Sequence, residues 1–294
     1  MLLALGCTPQ AGRVPAVSPS SISAAIERRL APEPGTVAVA VLDLGSGDTV
    51  FRNADLRYHA ASTMKVPVLI QLARDIDSGR SAWDDSVLVR NSFVSIVDGS
   101  PFTLDPADDS DSSLYAFEGR RVPQRRLAEL MIERSSNLAT NLLIARLDPV
   151  RVDATAHRLG ADSIHVRRGV EDDKAYARGL NNTTTARDLA TLLAAIQQRR
   201  AASPAATAEI LRMLLGQEFN EGIPAGLPRG VRVAHKTGSI TALLHDAAIV
   251  YPAGRPPYVL VVLTRGYKDE SAAARVIADI SRIVYRQLTG AGAE

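Results

Sequence analysis

Ser62 and Lys65 are the first residues of this 294-residue chain whose types and spacing could do chemistry. A separation of three residues puts both on one face of a helix, so the amine could reach the hydroxyl. A serine at a helix start also lies where backbone N–H groups stabilise developing negative charge. An adjacent base and a positive setting turn a hydroxyl into a nucleophile. The pattern Ser-x-x-Lys is loose, however, and such a serine often only caps its helix.

Two later segments could complete a catalytic site. Ser135-Ser136-Asn137 lies in a turn between two predicted helices, which could project a hydroxyl and an amide into a cleft. His235-Lys236-Thr237-Gly238-Ser239 ends a predicted strand. There Gly238 would let a ligand approach the backbone closely, and the N–H of Ser239 could donate to it. Each segment is weak evidence alone, but chance is a poor explanation for all three in this order.

The elements that would position these residues follow from hydrophobic periodicity. Apolar residues at helical spacing predict a helix over 21–30, and the alternating, β-branched residues 36–44 and 49–51 predict a hairpin. A long, mainly helical middle follows, in which the acidic and serine-rich residues 105–113 are expected to form an exposed loop. The last part of the chain predicts three strands and a helix, at 231–236, 243–251, 258–264 and 271–288.

This order of elements predicts an α/β (α+β) fold with two lobes. Five strands would form one antiparallel sheet flanked by helices, and an all-helical lobe would be inserted into the chain. We expect one catalytic domain over 21–290. Its α/β lobe would comprise 21–61 plus 228–290, its helical lobe 62–227, with a leader and linker at 1–20. Ser62 then falls at the junction of the lobes, where clefts form.

Composition excludes several classes of function. The net charge is only +2 and no basic tract is interleaved with aromatic residues, so nucleic acid is not an expected partner. No apolar run approaches the roughly 20 residues that cross a bilayer. The single cysteine, Cys7, rules out an internal disulfide and a cysteine-based zinc site. The histidines lack metal-like spacing, so no metal or other cofactor is expected. We expect a monomer.

Cys7 ends the short apolar segment Met1-Leu2-Leu3-Ala4-Leu5-Gly6-Cys7. This segment resembles the last part of a bacterial lipoprotein signal, with Cys7 as the lipidated residue. Ala4 stands where leucine is commonest, and no basic residues precede it. The alternatives are a fragment of an ordinary secretory signal or a frayed N-terminus. We expect export to the periplasm or cell envelope, with a lipid anchor at Cys7 as one form of it.

The three motifs together resemble those of the penicillin-recognising serine hydrolases, and most closely the class A β-lactamases. The resemblance implies the two-lobe β-lactamase/transpeptidase-like fold. It makes Ser62 the acylated nucleophile and Lys65 its proton acceptor or a member of the proton relay. It also implies that Ser135 passes a proton to the leaving nitrogen, and that Asn137 hydrogen-bonds the amide side chain of the substrate.

The third motif supplies the remaining parts that the resemblance implies. Lys236 and Thr237 would bind the carboxylate that β-lactams and peptidoglycan stem peptides both carry. Gly238 would give the substrate close access to the backbone. The N–H groups of Ser62 and Ser239 would form an oxyanion hole, typically worth about 3 kcal/mol per donor.

The base that would deacylate the enzyme is the least certain part of the match. Class A enzymes carry a loop glutamate followed three and four residues later by Leu and Asn. Glu171 falls at about the right distance beyond Ser135, but Lys174 and Ala175 follow it. Leu180-Asn181 could supply the missing pair from an altered loop. The alternative is that Glu171 is a solvated loop carboxylate in a generally polar stretch.

Two further positions depart from the family pattern. Ser136 stands where class A enzymes usually have Asp. His245-Asp246 lies on the next strand, where many of them present an Arg towards the substrate carboxylate. We therefore consider His245 both as a substrate contact and as an ordinary sheet histidine.

Three hypotheses follow for the function. The first is a serine β-lactamase, in which Glu171 drives hydrolysis of the acyl-enzyme. The second is a D,D-peptidase or penicillin-binding protein acting on peptidoglycan stem peptides, in which Glu171 is incidental. The third is a non-catalytic binding or sensor module. Lys65 and Ser135 together argue against the third, because a binder needs no proton-transfer residues.

Overall fold

The described chain, residues 18–290 of a computed structural model, contains one large sheet and three short strand pairs. The strands are β1 (Thr36–Asp43), β2 (Thr49–Arg52), β3 (Tyr58–His59), β4 (Ser86–Leu88), β5 (Phe93–Val94), β6 (Pro101–Phe102), β7 (Arg121–Pro123), β8 (Thr183–Thr184), β9 (Arg232–Ile240), β10 (Leu243–Tyr251) and β11 (Tyr258–Arg265). The large sheet has the order β2-β1-β11-β10-β9 and is antiparallel throughout. The predicted five-stranded sheet is therefore confirmed.

Helices cover the sheet and form the inserted lobe. They are α1 (Pro19–Leu30), α2 (Lys65–Asp77), α3 (Gln124–Glu133), α4 (Asn137–Leu147), α5 (Pro149–Arg158), α6 (Asp173–Ala177), α7 (Ala186–Gln197), α8 (Pro204–Leu215) and α9 (Glu270–Thr289). Short 3₁₀ segments span Ala61–Met64, Ser112–Phe117 and Ile223–Gly226. Among these helices, none is long and apolar enough to cross a membrane. Cys7 lies outside the described residues.

Both faces of the sheet are buried, as strand β1 illustrates. Val37 and Val39 face the core formed with α1 and α9, whereas Ala38 and Ala40 face the core shared with the helical lobe. Successive side chains of a strand point to opposite faces, so one strand serves both cores. The sheet thereby supports the helical lobe, and the strand β9 at its edge lies against the segment 61–64 that precedes α2.

Helix α2 is the central helix of the inserted lobe. Every residue of its first nine, 65–73, is buried, and the helix contacts α3, α4, α5 and α8. A helix surrounded by others is apolar on all sides, which explains the run Val66 to Ile70. Because Lys65 begins this helix, its side chain is enclosed between the two lobes.

The expectation that residues 105–113 form an exposed loop is only partly correct. They are not simply an exposed loop, because Asp109 and Asp111 are only 9% and 8% exposed. Asp109 accepts hydrogen bonds from the backbone N–H groups of Asn137 and Leu138, at 2.9 Å each. These donors belong to the first turn of α4, whose N–H groups lack partners within the helix. The acidic run therefore caps a helix that carries a site residue.

Candidate active site

Ser62 lies on the 3₁₀ turn before α2, directly beneath strand β9. A Cβ atom added to Gly238 would lie 2.9 Å from Ser62 N and 3.0 Å from Thr63 N. Only a glycine permits so close a contact between the strand and the turn. The backbone of the third motif is thus held against the backbone of the first, with Ser239 next along the strand.

Lys65 is fully buried, and its Nζ donates to three oxygens. These are Ser135 O at 2.7 Å, Asn137 Oδ1 at 2.9 Å and Ser135 Oγ at 3.1 Å. Burial lowers the pKa of Lys65 from 10.5 to about 7, while the charges of Asp109 and Glu171 oppose this shift. About half of the amine is therefore neutral at pH 7. No hydrogen bond joins it to Ser62 Oγ among the described residues, and catalytic hydrogen bonds are often loose without substrate.

Ser135 Oγ lies between two lysines. It is 3.1 Å from Lys65 Nζ and 3.1 Å from Lys236 Nζ. Burial lowers the pKa of Lys236 well below its usual value, and the nearby charge of Lys65 lowers it further. The two amines disfavour each other's charged form, so a proton can move between them through the hydroxyl. This arrangement can relay protons.

Asn137 connects the lysine to the candidate base. Its Oδ1 accepts from Lys65, and its Nδ2 donates to Glu171 Oε1 at 2.5 Å. Burial raises the pKa of Glu171, while the hydrogen bond from Asn137 opposes that shift. Glu171 is therefore not the solvated carboxylate of the alternative interpretation. It is a half-buried group that points at the same amide as Lys65.

Three residues of the site have a backbone conformation that L-amino acids rarely adopt. Ala61, Ser135 and Glu171 have positive φ values of 44°, 59° and 61°. Each costs roughly 1–2 kcal/mol relative to a right-handed conformation. Strain of this kind persists where the surroundings impose it, and it often accompanies function.

The loop that carries Glu171 is fixed on both sides. Asn141, on α4, accepts from Val170 N at 2.7 Å and donates to Val170 O at 3.0 Å. Asp172 accepts from Ser95 Oγ at 2.8 Å and from Ile96 N at 2.9 Å. These contacts tie the residues before and after Glu171 to two separate parts of the helical lobe.

Two cavities meet at Ser62. One, of about 590 Å³, is lined by Ser62, Ser135, Thr237 and Ser239 among others. The other, of about 310 Å³, is lined by Ser62, Asn137, Glu171 and Ser239 among others. Ser62 therefore borders both cavities, and Glu171 borders the smaller one.

The comparisons with known proteins agree with this geometry. Residues 21–288 match the model of the beta-lactamase enzyme family. The chain belongs to this family. A relative named beta-lactamase from Streptomyces albus G is 29% identical over 274 residues, which cover 89% of this chain and 84% of the relative.

Solved structures of a beta-lactamase and of PBP-A resemble this β-lactamase family member. A beta-lactamase from Sphaerobacter thermophilus is 27% identical with a TM-score of 0.79, covering 95% of this chain and 100% of that one. PBP-A is 25% identical with a TM-score of 0.79, covering 92% and 97%. A penicillin G acyl-enzyme of a PBP-A mutant aligns equally well, at 25% identity and TM-score 0.79, with the same coverage. The fold class that the sequence predicted is confirmed.

Of the two interpretations of His245, the structure favours the ordinary sheet histidine, although the residue also borders the larger cavity. Its ring has no exposed surface, and burial lowers its pKa to about 4. Its Nε2 lies 3.0 Å from His59 O, and its Nδ1 lies 2.9 Å from Leu244 O and 3.2 Å from Thr264 N. His245 is a structural histidine of the sheet and does not replace the Arg of many class A enzymes.

The loop also differs from the class A pattern in the way the sequence indicates. Lys174 points outwards and donates to Asp98 at 2.8 Å, and Ala175 is buried. The amide of Asn181 accepts from Arg168 at 3.1 Å, so it does not supply the missing amide. Asn182 lines the cavity instead.

Asp109 is the site residue that the sequence did not reveal. It lies below the Ser135–Asn137 turn and also accepts from Tyr115 Oη at 3.1 Å. Ser136 Oγ is 3.5 Å from it. In this family member Asp109 supplies the carboxylate beside a motif position where class A enzymes usually have Asp. No local pattern could have identified it, because it precedes the motif by 26 residues or more.

Proposed function

We propose that this class A-like enzyme hydrolyses the β-lactam amide through a Ser62 acyl-enzyme, with Glu171 as the deacylation base. The observation that carries the proposal is the position of Ser62 between the two cavities. The larger cavity is lined by Ser62, Ser135, Thr237 and Ser239. The smaller cavity is lined by Ser62 and by Glu171, a carboxyl whose pKa is raised by burial.

Acylation begins with neutral Lys65, which accepts the proton of Ser62 Oγ as that oxygen bonds to the lactam carbonyl carbon. The N–H groups of Ser62 and Ser239 stabilise the oxyanion. When the carbon–nitrogen bond breaks, Ser135 Oγ gives its proton to the nitrogen and is reprotonated by Lys65 or Lys236. Every proton taken from the nucleophile is thus returned to the leaving group.

The carboxylate of the substrate would bind to Lys236 and Thr237. Its negative charge favours the charged form of Lys236, which burial and the charge of Lys65 disfavour. Because His245 is neutral and buried, it adds no cation to this recognition. Carboxylate binding therefore depends on the third motif itself.

In deacylation, water is the nucleophile and Ser62 Oγ is the leaving group. Glu171 takes a proton from a water molecule in the smaller cavity, and the resulting hydroxide attacks the ester carbon of acylated Ser62. Asn137 holds the carboxylate in place. The proton then passes to Ser62 Oγ as the ester bond breaks. A half-buried carboxylate is a stronger base than an exposed one.

A D,D-peptidase acting on peptidoglycan stem peptides is the second candidate function. Lys174 and Ala175 favour it, because the amide that class A enzymes place after the glutamate is missing here. The likeness to PBP-A also supports it. The same acylation machinery would then release D-alanine, and a penicilloyl group would remain on Ser62.

Substrate turnover distinguishes the two candidates. We expect steady hydrolysis of penicillin G, measured as the loss of the lactam absorbance. We expect no release of D-alanine from a stem-peptide mimic. Rapid D-alanine release combined with one equivalent of penicillin consumed would contradict the β-lactamase. Ser62→Ala should abolish either activity, since both need the acyl-enzyme.

We also propose that the enzyme is exported and lipidated at Cys7, on the basis of the apolar Met1–Cys7 segment. Expression in a bacterium fed radiolabelled palmitate tests this. Label should enter the wild-type chain and not a Cys7→Ala variant. Unlabelled protein that is still found outside the cytoplasm would indicate an ordinary secretory signal instead.

A further inference from the structure

Three metal-binding side chains meet on the helical lobe, outside the active site. Asp153 and His157 are one turn apart on α5, and His165 comes from the segment after that helix. Asp153 Oδ2 lies 3.5 Å from His165 Nδ1 and 3.9 Å from His157 Nε2. All three donor atoms lie within 4.8 Å of one another. The fold, and not a sequence motif, brings these groups together.

The donor set suits a first-row transition metal. One carboxylate oxygen and two imidazole nitrogens are ligands that bind Zn²⁺ at about 2.0–2.2 Å, which puts them roughly 3.3 Å apart in a tetrahedral site. The two separations from Asp153 Oδ2, 3.5 Å and 3.9 Å, exceed this value by about 0.2 Å and 0.6 Å. Small side-chain rotations are enough to close them around an ion.

The surrounding contacts orient two of the groups. Asp153 Oδ1 accepts from Val166 N at 2.9 Å, which leaves Oδ2 directed at the imidazoles. A ligating carboxylate is commonly held in this way by its second oxygen. His157 Nε2 lies 3.0 Å from Ile164 O, so it carries a proton in the metal-free protein. A metal bound at Nε2 would replace this contact and select the tautomer with its proton on Nδ1.

We infer that Asp153, His157 and His165 form a binding site for a divalent transition metal of the Zn²⁺ class. The side chains of these residues are 26%, 36% and 26% exposed, so an ion can enter without unfolding and keep a water molecule as its fourth ligand. The role of such an ion is structural. It would fasten helix α5 to the segment that leads into the Glu171 loop.

The position of His165 explains how such an ion would affect the Glu171 loop. Its backbone N–H and C=O pair with those of Thr183, at 2.9 Å each, and close the base of the loop that contains Glu171. A metal held by His165 would therefore restrain one end of this loop. It would not touch the reacting groups, so its effect should appear first in stability.

The test uses full-length protein without a histidine tag and with Cys7→Ser in every sample, since tags and thiols bind zinc themselves. Saturating Zn²⁺ should raise the melting temperature by about 5 °C. Co²⁺, used as a spectroscopic probe, should give the visible absorption of a tetrahedral site with nitrogen and oxygen ligands.

His157→Gln and His165→Gln should each remove both signals, whereas the control Asp162→Asn, an exposed carboxylate nearby, should keep them. If the histidine variants fail to fold, Asp153→Asn serves instead, because its amide oxygen can still accept from Val166 N. Absence of both signals in the unsubstituted protein overturns the proposal. Signals that survive in both histidine variants also overturn it, since they would come from another site.

Discussion

The two sides of Ser62 are built in different ways. On the acylation side, Lys65 begins α2, Ser135 lies in the turn between α3 and α4, and Lys236 lies in the middle of β9. Both lysines donate to the Ser135 hydroxyl at 3.1 Å. On the deacylation side, Glu171 lies on a loop whose anchors come from separate segments. If the two sides act as proposed, proton transfer depends on residues of the central elements, whereas hydrolysis depends on a few contacts that hold one loop.

The largest effect is expected on the acylation side, from Ser62→Ala. Without the nucleophile no acyl-enzyme can form, so kcat should fall by about 10⁴-fold or more. Ser110→Ala provides a matched control, because this serine lines the same cavity. Hydrolysis of a chromogenic cephalosporin measures both. Comparable losses in the two variants would show that Ser62 has no special role.

The pH dependence should separate the two sides. Acylation needs neutral Lys65, whose pKa is about 7, so its rate should fall about tenfold per pH unit below that value and level off above it. Deacylation needs ionised Glu171, whose pKa burial raises from 4.5, so the fall of its rate at acidic pH should follow this carboxyl and not Lys65. Single-turnover rate constants between pH 5 and 9 measure the two steps. Identical profiles would break the comparison.

The anchor of the loop should matter to deacylation alone. Asn141→Ala removes both hydrogen bonds to Val170, which should cost about 1–3 kcal/mol of stability and slow deacylation roughly tenfold. Acylation should change less. Asn181→Ala serves for comparison. It removes an amide that holds the far end of the loop through Arg168 and leaves the hydrogen bonds to Val170 intact. An equal loss of acylation in Asn141→Ala would show that the two sides are not independent.

The smallest effect is expected from Asp109→Asn. Loss of this charge removes an interaction that opposes the burial of Lys65, so the pKa of Lys65 should fall further. The acidic limb of the acylation profile should then move to lower pH by less than about one unit. Stability should fall by about 1 kcal/mol, since a helix cap is weakened. Asp108→Asn, an exposed neighbour, should leave the limb unmoved.

The sequence predicted the acylation side because its signals are local. Ser62 and Lys65 are three residues apart, Gly238 predicts a close approach to the backbone, and the alternating, β-branched residues of β1 predict a strand. Such patterns express the geometry of one element. The resemblance to a known family then connected the three segments.

The parts that were missed depend on contacts between distant segments. Asp109 caps α4 from 28 residues before Asn137, and nothing in an acidic, serine-rich run distinguishes a buried cap from a solvated loop. His245 was left with two interpretations, because only the sheet register and the neighbouring His59 carbonyl show that its ring is enclosed. Burial decided both cases, and a single sequence does not report it.

Time-resolved intact mass spectrometry with penicillin G tests the central claim most directly. Wild-type enzyme and the control Asp173→Asn, an exposed carboxylate of the same loop, should show only a transient adduct. Glu171→Gln should acylate within about tenfold of the wild-type rate and then accumulate the adduct, because its deacylation falls by about 10²–10⁴-fold. An adduct equally stable in wild type and Glu171→Gln would contradict the account and identify a penicillin-binding protein.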